Sequence, residues 1–130
     1  MASGRFLLDT NIVIALFSND GNIHSKLLDA TEVFVPNIVF GELLYGARKS
    51  GRVETNLQRI GELLAISTVV DCDAETAQNY AVIKNDLRLK GKPIPENEIW
   101  IAALAVQHNL ILATRNSHFH EIEKLIIKNW

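Results

Sequence analysis

Short apolar runs alternate with longer segments of helical spacing along the chain. Phe6, Leu7 and Leu8 form an apolar run that stops at Asp9-Thr10-Asn11, which reads as a buried strand ending in a polar turn. Residues 12–17 then read as a helix, with Thr10 or Asn11 as its cap. Ser18 to Asn22 has the composition of a loop, and a short helix is expected over 23–30. Val33-Phe34-Val35-Pro36 reads as a second buried strand stopped by proline. Asn37 is the expected cap of a helix carrying Ile38, Leu43, Leu44 and Ala47, broken near Lys49-Ser50-Gly51. Another helix is expected over 53–65, and a third strand at Thr68-Val69-Val70.

Asp73 is placed to cap a long helix through about Lys90, with Ala77, Tyr80, Ala81, Ile83 and Leu87 at helical spacing. Gly91-Lys92-Pro93-Ile94-Pro95 must be a loop. The most apolar helix spans about 97–108, and its small residues suit close packing on a sheet. Leu110 to Ala113 reads as a fourth strand, and 121–127 as a helical turn and a last edge strand. Strands alternating with helices give an α/β fold with a mainly parallel sheet covered on both faces. Ligands on such sheets bind beyond the carboxyl ends of the strands. Asp9 follows the first strand and Asn116 follows the fourth, so both sit at that rim.

Composition narrows the function. The chain has 130 residues, 48% hydrophobic and 22% charged, with no linker or repeat, and suits one globular domain over 1–130. A formal net charge of -2 argues against blanket nucleic-acid binding and leaves only a local basic patch for such contacts. Cys72 is the single cysteine, so an intrachain disulfide and a cysteine-built zinc site are excluded. Met1 to Arg5 lacks the apolar core of a secretory leader, and no apolar run is long enough to span a bilayer. A cytoplasmic location is expected.

Three acids carry the candidate chemistry. Asp9 has two readings: a simple helix N-cap, or a carboxylate facing the crevice. Glu42 is a lone charge between Ile38-Val39-Phe40 and Leu43-Leu44, which leaves little solvent face and predicts burial. A buried unpaired carboxylate is costly, so Glu42 calls for water, a metal or a cation. Gly41 beside it would let another backbone approach. Glu98 opens the most apolar helix next to Glu96, where acids also favour the helix dipole. If the three converge, a hard divalent cation with oxygen ligands, magnesium or manganese, neutralises them. His24, His108, His118 and His120 are scattered, and His118 and His120 read as loop or surface residues.

Leu8-Asp9-Thr10-Asn11, Gly41-Glu42-Leu43, Pro95-Glu96-Asn97-Glu98-Ile99-Trp100-Ile101-Ala102-Ala103, and Ala113-Thr114-Arg115-Asn116 followed by His118-Phe119 stand in an order that resembles the PIN domain. Within it, the chain resembles the VapC toxins of bacterial and archaeal toxin–antitoxin pairs, over its whole length to Asn129-Trp130. Each block is weak alone; together they are specific. The resemblance implies a three-layer α/β/α sandwich and a Mg2+-dependent endoribonuclease, with Mn2+ as an alternative ion. By position it implies Asp9 and Glu42 as acidic metal ligands. Glu98 takes a place where the family usually has aspartate, and Asn116 one that is often aspartate. Thr114 is implied to support the cluster through its hydroxyl, and Asn11 to orient Asp9 or line the pocket.

On that reading, metal-activated water hydrolyses an RNA phosphodiester. RNA near an acidic pocket needs cations. Candidates are Arg48, Lys49 and Arg52, then Lys84, Arg88, Lys90 and Lys92, and Arg115 at the rim, each of which also suits an ordinary solvated face. The resemblance also implies a homodimer or hetero-oligomer and a small VapB-type antitoxin bound across the site. Apolar residues in 38–44 and 53–65 serve either such a face or the core, and the core accounts for most of them. The rivals are a magnesium-binding phospho-receiver module, a nucleotide-binding protein, for which no phosphate-binding glycine loop exists, and a PIN-like scaffold without catalysis. The methylene that Glu98 adds over aspartate makes it a strained ligand for small octahedral magnesium. Glu98→Asp is therefore expected to raise RNA cleavage; unchanged or reduced cleavage in a gel assay removes the idea of a compromised ligand.

Overall fold

Leu7 and Leu8 are neighbours, point to opposite faces of a strand, and are both fully buried. Leu112 and Ala113 repeat the pattern. A sheet carrying such pairs must be covered on both sides. The computed structural model describes residues 4–130 and shows the coverage. Met1 to Ser3, part of the segment read as lacking a leader, lie outside the described residues.

The order is β1 (Arg5–Leu8), α1 (Thr10–Phe17), α2 (Gly21–Asp29), β2 (Glu32–Pro36), α3 (Asn37–Arg48), α4 (Val53–Ala65), β3 (Thr68–Val70), α5 (Ala74–Lys90), α6 (Glu96–Gln107), β4 (Ile111–Thr114), a 3-10 turn (Ser117–Glu121) and β5 (Ile127–Asn129). All five strands are parallel in the order β3-β2-β1-β4-β5. Phe6 pairs with Val33 on one side and Ile111 on the other, so β1 is central. The strand order reverses between β1 and β4. The crevice beyond their carboxyl ends is where a parallel sheet takes its ligand.

Helix α6 is the most buried of the helices. Ile101, Ala102, Ala103 and Leu104 are fully buried, and Ile99 and Ala105 nearly so. A helix apolar all round belongs in an interior, and this one carries Glu98 at its first turn into the crevice. Helix α5 lies along it and is well anchored. Asp73 Oδ1 accepts from the Thr76 N–H (3.0 Å), and Thr76 Oγ1 accepts from the Asp73 N–H (2.9 Å). Gly91 ends α5 with a left-handed φ of 69°, which glycine adopts without strain.

Several local expectations shift. Asp9, not Thr10 or Asn11, caps α1, because its carboxylate reaches the Thr10 N–H. Asp20 caps α2 through the Asn22 and Ile23 N–H groups, so that helix begins inside the expected loop. Asn37 is the first residue of α3 instead of its cap; Pro36 precedes it with no side-chain cap bond. Its amide oxygen instead receives the Cys72 thiol at 3.5 Å. The helical turn expected over 121–127 lies earlier, at Ser117–Glu121. Val39, Leu43, Ile60 and Leu63 of α3 and α4 are core, as the sequence reading favoured.

Leu112→Ala in the buried β4 should lower unfolding free energy by about 2–5 kcal/mol. Leu28→Ala, at an 86% exposed site, should change it by less than about 0.5 kcal/mol. Urea titrations of the two variants decide; equal effects would contradict this core.

Candidate active site

Asp9 sits where the sheet divides. Its backbone N–H donates to the Ala113 carbonyl at 3.0 Å, extending the β1–β4 ladder by one residue. Its Oδ1 accepts from the Thr10 N–H at 2.8 Å, and its Oδ2 accepts from the Thr114 hydroxyl at 2.7 Å. The residue is only 5% exposed. Both readings of Asp9 hold together: it caps α1 and is a buried acid at the rim. Burial pushes its carboxyl above the ordinary aspartate range. The bonds from Thr114 and Thr10 oppose that shift, and the charge of Glu98 adds to it.

Glu98 faces it from α6, with a side chain 12% exposed. Asn116 Nδ2 donates to Glu98 Oε2 at 2.8 Å, and His118 Nδ1 meets Oε1 at 2.8 Å. The Asn116 N–H donates to Thr114 Oγ1, and Asn116 Oδ1 accepts from the His118 N–H, both at 3.0 Å. Thr114, Asn116 and His118 thus link the two acids through one short segment after β4.

Glu42 departs from its expected setting. It is exposed, since α3 buries Val39, Leu43 and Ala47 on a stripe that leaves position 42 on the flank. Its Oε1 accepts from the Thr10 hydroxyl at 3.3 Å, which attaches it to the edge of the site. A water-facing carboxylate needs no metal for its own sake. Gly41 is exposed too, and a side chain there would meet nothing, so no backbone approaches it. Among the described residues, no three His, Cys, Asp or Glu side chains form a ready metal cage. Asn11 accepts from the Arg115 N–H at 3.3 Å, tying α1 to the loop after β4.

The proposed cations divide. Arg115 turns from the crevice to Asp20 (2.9 Å) and the Trp130 carbonyl (3.0 Å). Lys84 pairs with Glu96 and Tyr80, which pushes its ammonium up to about 12. Lys90 donates to the Glu121 carbonyl, Arg88 bonds Asn85, and Lys49 lies over the Tyr45 ring. Arg48, Arg52 and Lys92 are exposed. His118, read as a surface residue, is the participant the sequence reading missed. Its signal was position: two residues beyond Asn116, in a turn that folds back on the same rim.

The PIN-domain family model matches residues 6–125. The chain belongs to the PIN-domain family. It is similar to Ribonuclease VapC2 of Haemophilus influenzae Rd, with 36% identity over 129 residues covering 97% of this chain and 98% of that protein. It is also similar to the tRNA(fMet)-specific endonuclease VapC of Shigella flexneri, with 30% identity over 129 residues and the same coverage, 97% and 98%. Among solved structures, the DNA-bound VapBC of Salmonella typhimurium superposes with a TM-score of 0.90 at 29% identity, covering 97% and 98% of the two chains. The VapBC2 of Rickettsia felis bound to a promoter DNA fragment gives 0.87 at 28% identity, also covering 97% and 98%. The receiver alternative falls with the strand order. Receivers run 2-1-3-4-5, and this PIN domain runs 3-2-1-4-5.

The geometry also reverses one expectation. Both oxygens of Glu98 are already engaged at 2.8 Å, so a shorter aspartate would withdraw from both partners, and Glu98→Asp should reduce function. Asp9 carries a stability consequence. Its folded carboxyl lies above the ordinary 3.8, so the folded state binds the proton more tightly than the unfolded chain. Stability from this group is therefore lost as pH rises from 3.8 through the folded value. Asp9→Asn should raise the melting temperature at neutral pH, with the gain shrinking on acidification; a variant that melts lower at neutral pH contradicts this.

Proposed function

We propose that this PIN domain is a metal-dependent endoribonuclease acting in the cytoplasm as the toxin of a toxin–antitoxin pair, held in check by a VapB-type antitoxin. The observation that carries the reading is the pair Asp9 and Glu98 at the strand-order reversal, braced by Thr114 and Asn116. It is supported by relatives that carry the names ribonuclease and endonuclease over nearly the whole chain. Solved neighbours that are toxin–antitoxin complexes support the partner. Among the described residues no helix is long and apolar enough to cross a membrane.

The donor set fits magnesium or manganese. Every polar atom at the acid pair is oxygen or an amide, apart from the His118 ring, and the Cys72 thiol is engaged elsewhere with Asn37. Magnesium keeps several waters and is usually held by one or two carboxylates, so the pair suffices without a complete cage. Asp9 and Glu98 would hold the ion, with Glu42 bordering the site from α3. When bound, the ion supplies an activated water and charge compensation at the scissile phosphate.

The chain's own residues prepare that chemistry. Thr10 and Thr114 donate to Asp9, offsetting part of its burial penalty and fixing its orientation. Asn116 holds one oxygen of Glu98. Glu42 stays in water and adds negative charge at the mouth. Arg48, Lys49 and Arg88 offer cations to RNA phosphates outside the acidic centre, while Arg115 is committed to Asp20. Exposed Leu28, Ile66 and Tyr45 give a protein partner, antitoxin or second copy, apolar surface to cover.

RNA cleavage in Mg2+, Mn2+ and chelator tests the reading. Cleavage should require the metal, and Asp9→Ala should fall to the level of the chelated wild type. Cleavage that survives chelation, or an Asp9→Ala variant as active as wild type, would end it.

A further inference from the structure

His118 has no task in the proposed metal chemistry, yet its ring lies against Glu98. Its Nδ1 is 2.8 Å from Glu98 Oε1 although the side chain is 52% exposed. A carboxylate offers only lone pairs, so the hydrogen in this contact belongs to His118 Nδ1. Asn116 supplies the matching bond to the other oxygen, also at 2.8 Å. The two donors are held in register, because Asn116 Oδ1 accepts the His118 N–H and the Asn116 N–H is anchored on Thr114 Oγ1. The same Thr114 hydroxyl donates to Asp9.

Glutamate needs this more than aspartate would. It has one more torsion, and the last torsion before its carboxylate is broad and weakly preferred. Unrestrained, its oxygens would sweep a range that a small octahedral ion does not tolerate. Bonds to both oxygens remove that freedom. Each oxygen keeps a second lone pair, so the restraint leaves Glu98 able to bind a cation.

We propose that His118 is a positioning residue: with Asn116 it clamps both oxygens of Glu98 and sets them against Asp9, which lets glutamate serve as a metal ligand here. The proposal rests on the metal-dependent reading above. It assigns His118 no contact with RNA or with the ion.

Two measurements on the purified full chain test it. The first is Mn2+ binding by titration calorimetry, with thermal melts as the check on folding. His118→Ala should weaken Mn2+ binding roughly tenfold or more, the usual loss when a residue that orients a ligand is removed. His118→Asn, whose amide can place a donor near the lost Nδ1–H, should recover most of it. In a Glu98→Ala background, His118→Ala should have no further effect. Wild-type affinity in His118→Ala, or an equal loss without Glu98, overturns the proposal.

The second measurement separates this proposal from the metal reading. Nitrogen NMR of the metal-free protein at about pH 8.5, above the ordinary imidazole range, should show His118 as the Nδ1–H tautomer. The ring should shift toward Nε2–H in Glu98→Ala. An Nε2–H ring in the wild type overturns the clamp whatever the metal result. Failure of the wild type to take up Mn2+, with the Nδ1–H tautomer present, overturns the metal reading and the ligand role of Glu98 with it.

Discussion

The hydrogen bond from Thr114 to Asp9 joins the ends of the two strands between which the sheet reverses its order. One hydroxyl satisfies a buried carboxylate, receives the Asn116 N–H and so fixes the turn that reaches Glu98. A buried carboxylate without such donors would be costly. The fold bears part of that cost even here, since burial together with the charge of Glu98 still outweighs the hydrogen bonds in shifting Asp9. The parallel sheet makes the arrangement available by leaving a crevice at the reversal. Helix α6 completes it, because its apolar body locks into the interior and brings its first turn to the same place.

The architecture was largely legible in the sequence because periodicity and turn chemistry agreed. Val53–Ala65 and Thr68–Val70 fall where the pattern put them, and Asp73 caps α5 as expected. Boundaries failed where several polar residues competed for one role. Asp9, Thr10 and Asn11 are all capable caps, and only the three-dimensional approach of the Thr10 N–H decides among them. Asp20 was hidden in a run of loop-forming residues, although its carboxylate reaches two N–H groups of α2. Asn37 was a reasonable cap until Cys72, from beyond β3, claimed its side chain.

The candidate site was legible as a set of residues and less so as an arrangement. The sequence placed Asp9 and Asn116 on one rim, where the fold also puts them. It misjudged Glu42, because apolar neighbours along a chain do not show which side of a helix faces water; α3 buries its stripe every fourth residue, and Glu42 lies beside it. It missed His118 for a related reason. A histidine two residues past a strand-end asparagine has no periodic signature, and its partner is 20 positions away on another element. Arg115 shows the reverse case: adjacent to the site in sequence, it is drawn off by Asp20, 95 positions distant.

The pairing of β1 with β4 sets when a folding chain can assemble the acid pair. Thr114, the donor to Asp9, lies 105 positions later in the chain. Contacts of such separation form late and slowly, because the intervening loop must be ordered before they repay its entropy. Until β4 is in place, β1 lacks one neighbour, Asp9 lacks its brace, and Glu98 has no segment to receive it. The two acids are therefore brought into one braced arrangement only once β4 has docked on β1, and a folding intermediate without that pairing holds Asp9 and Glu98 as unconnected side chains.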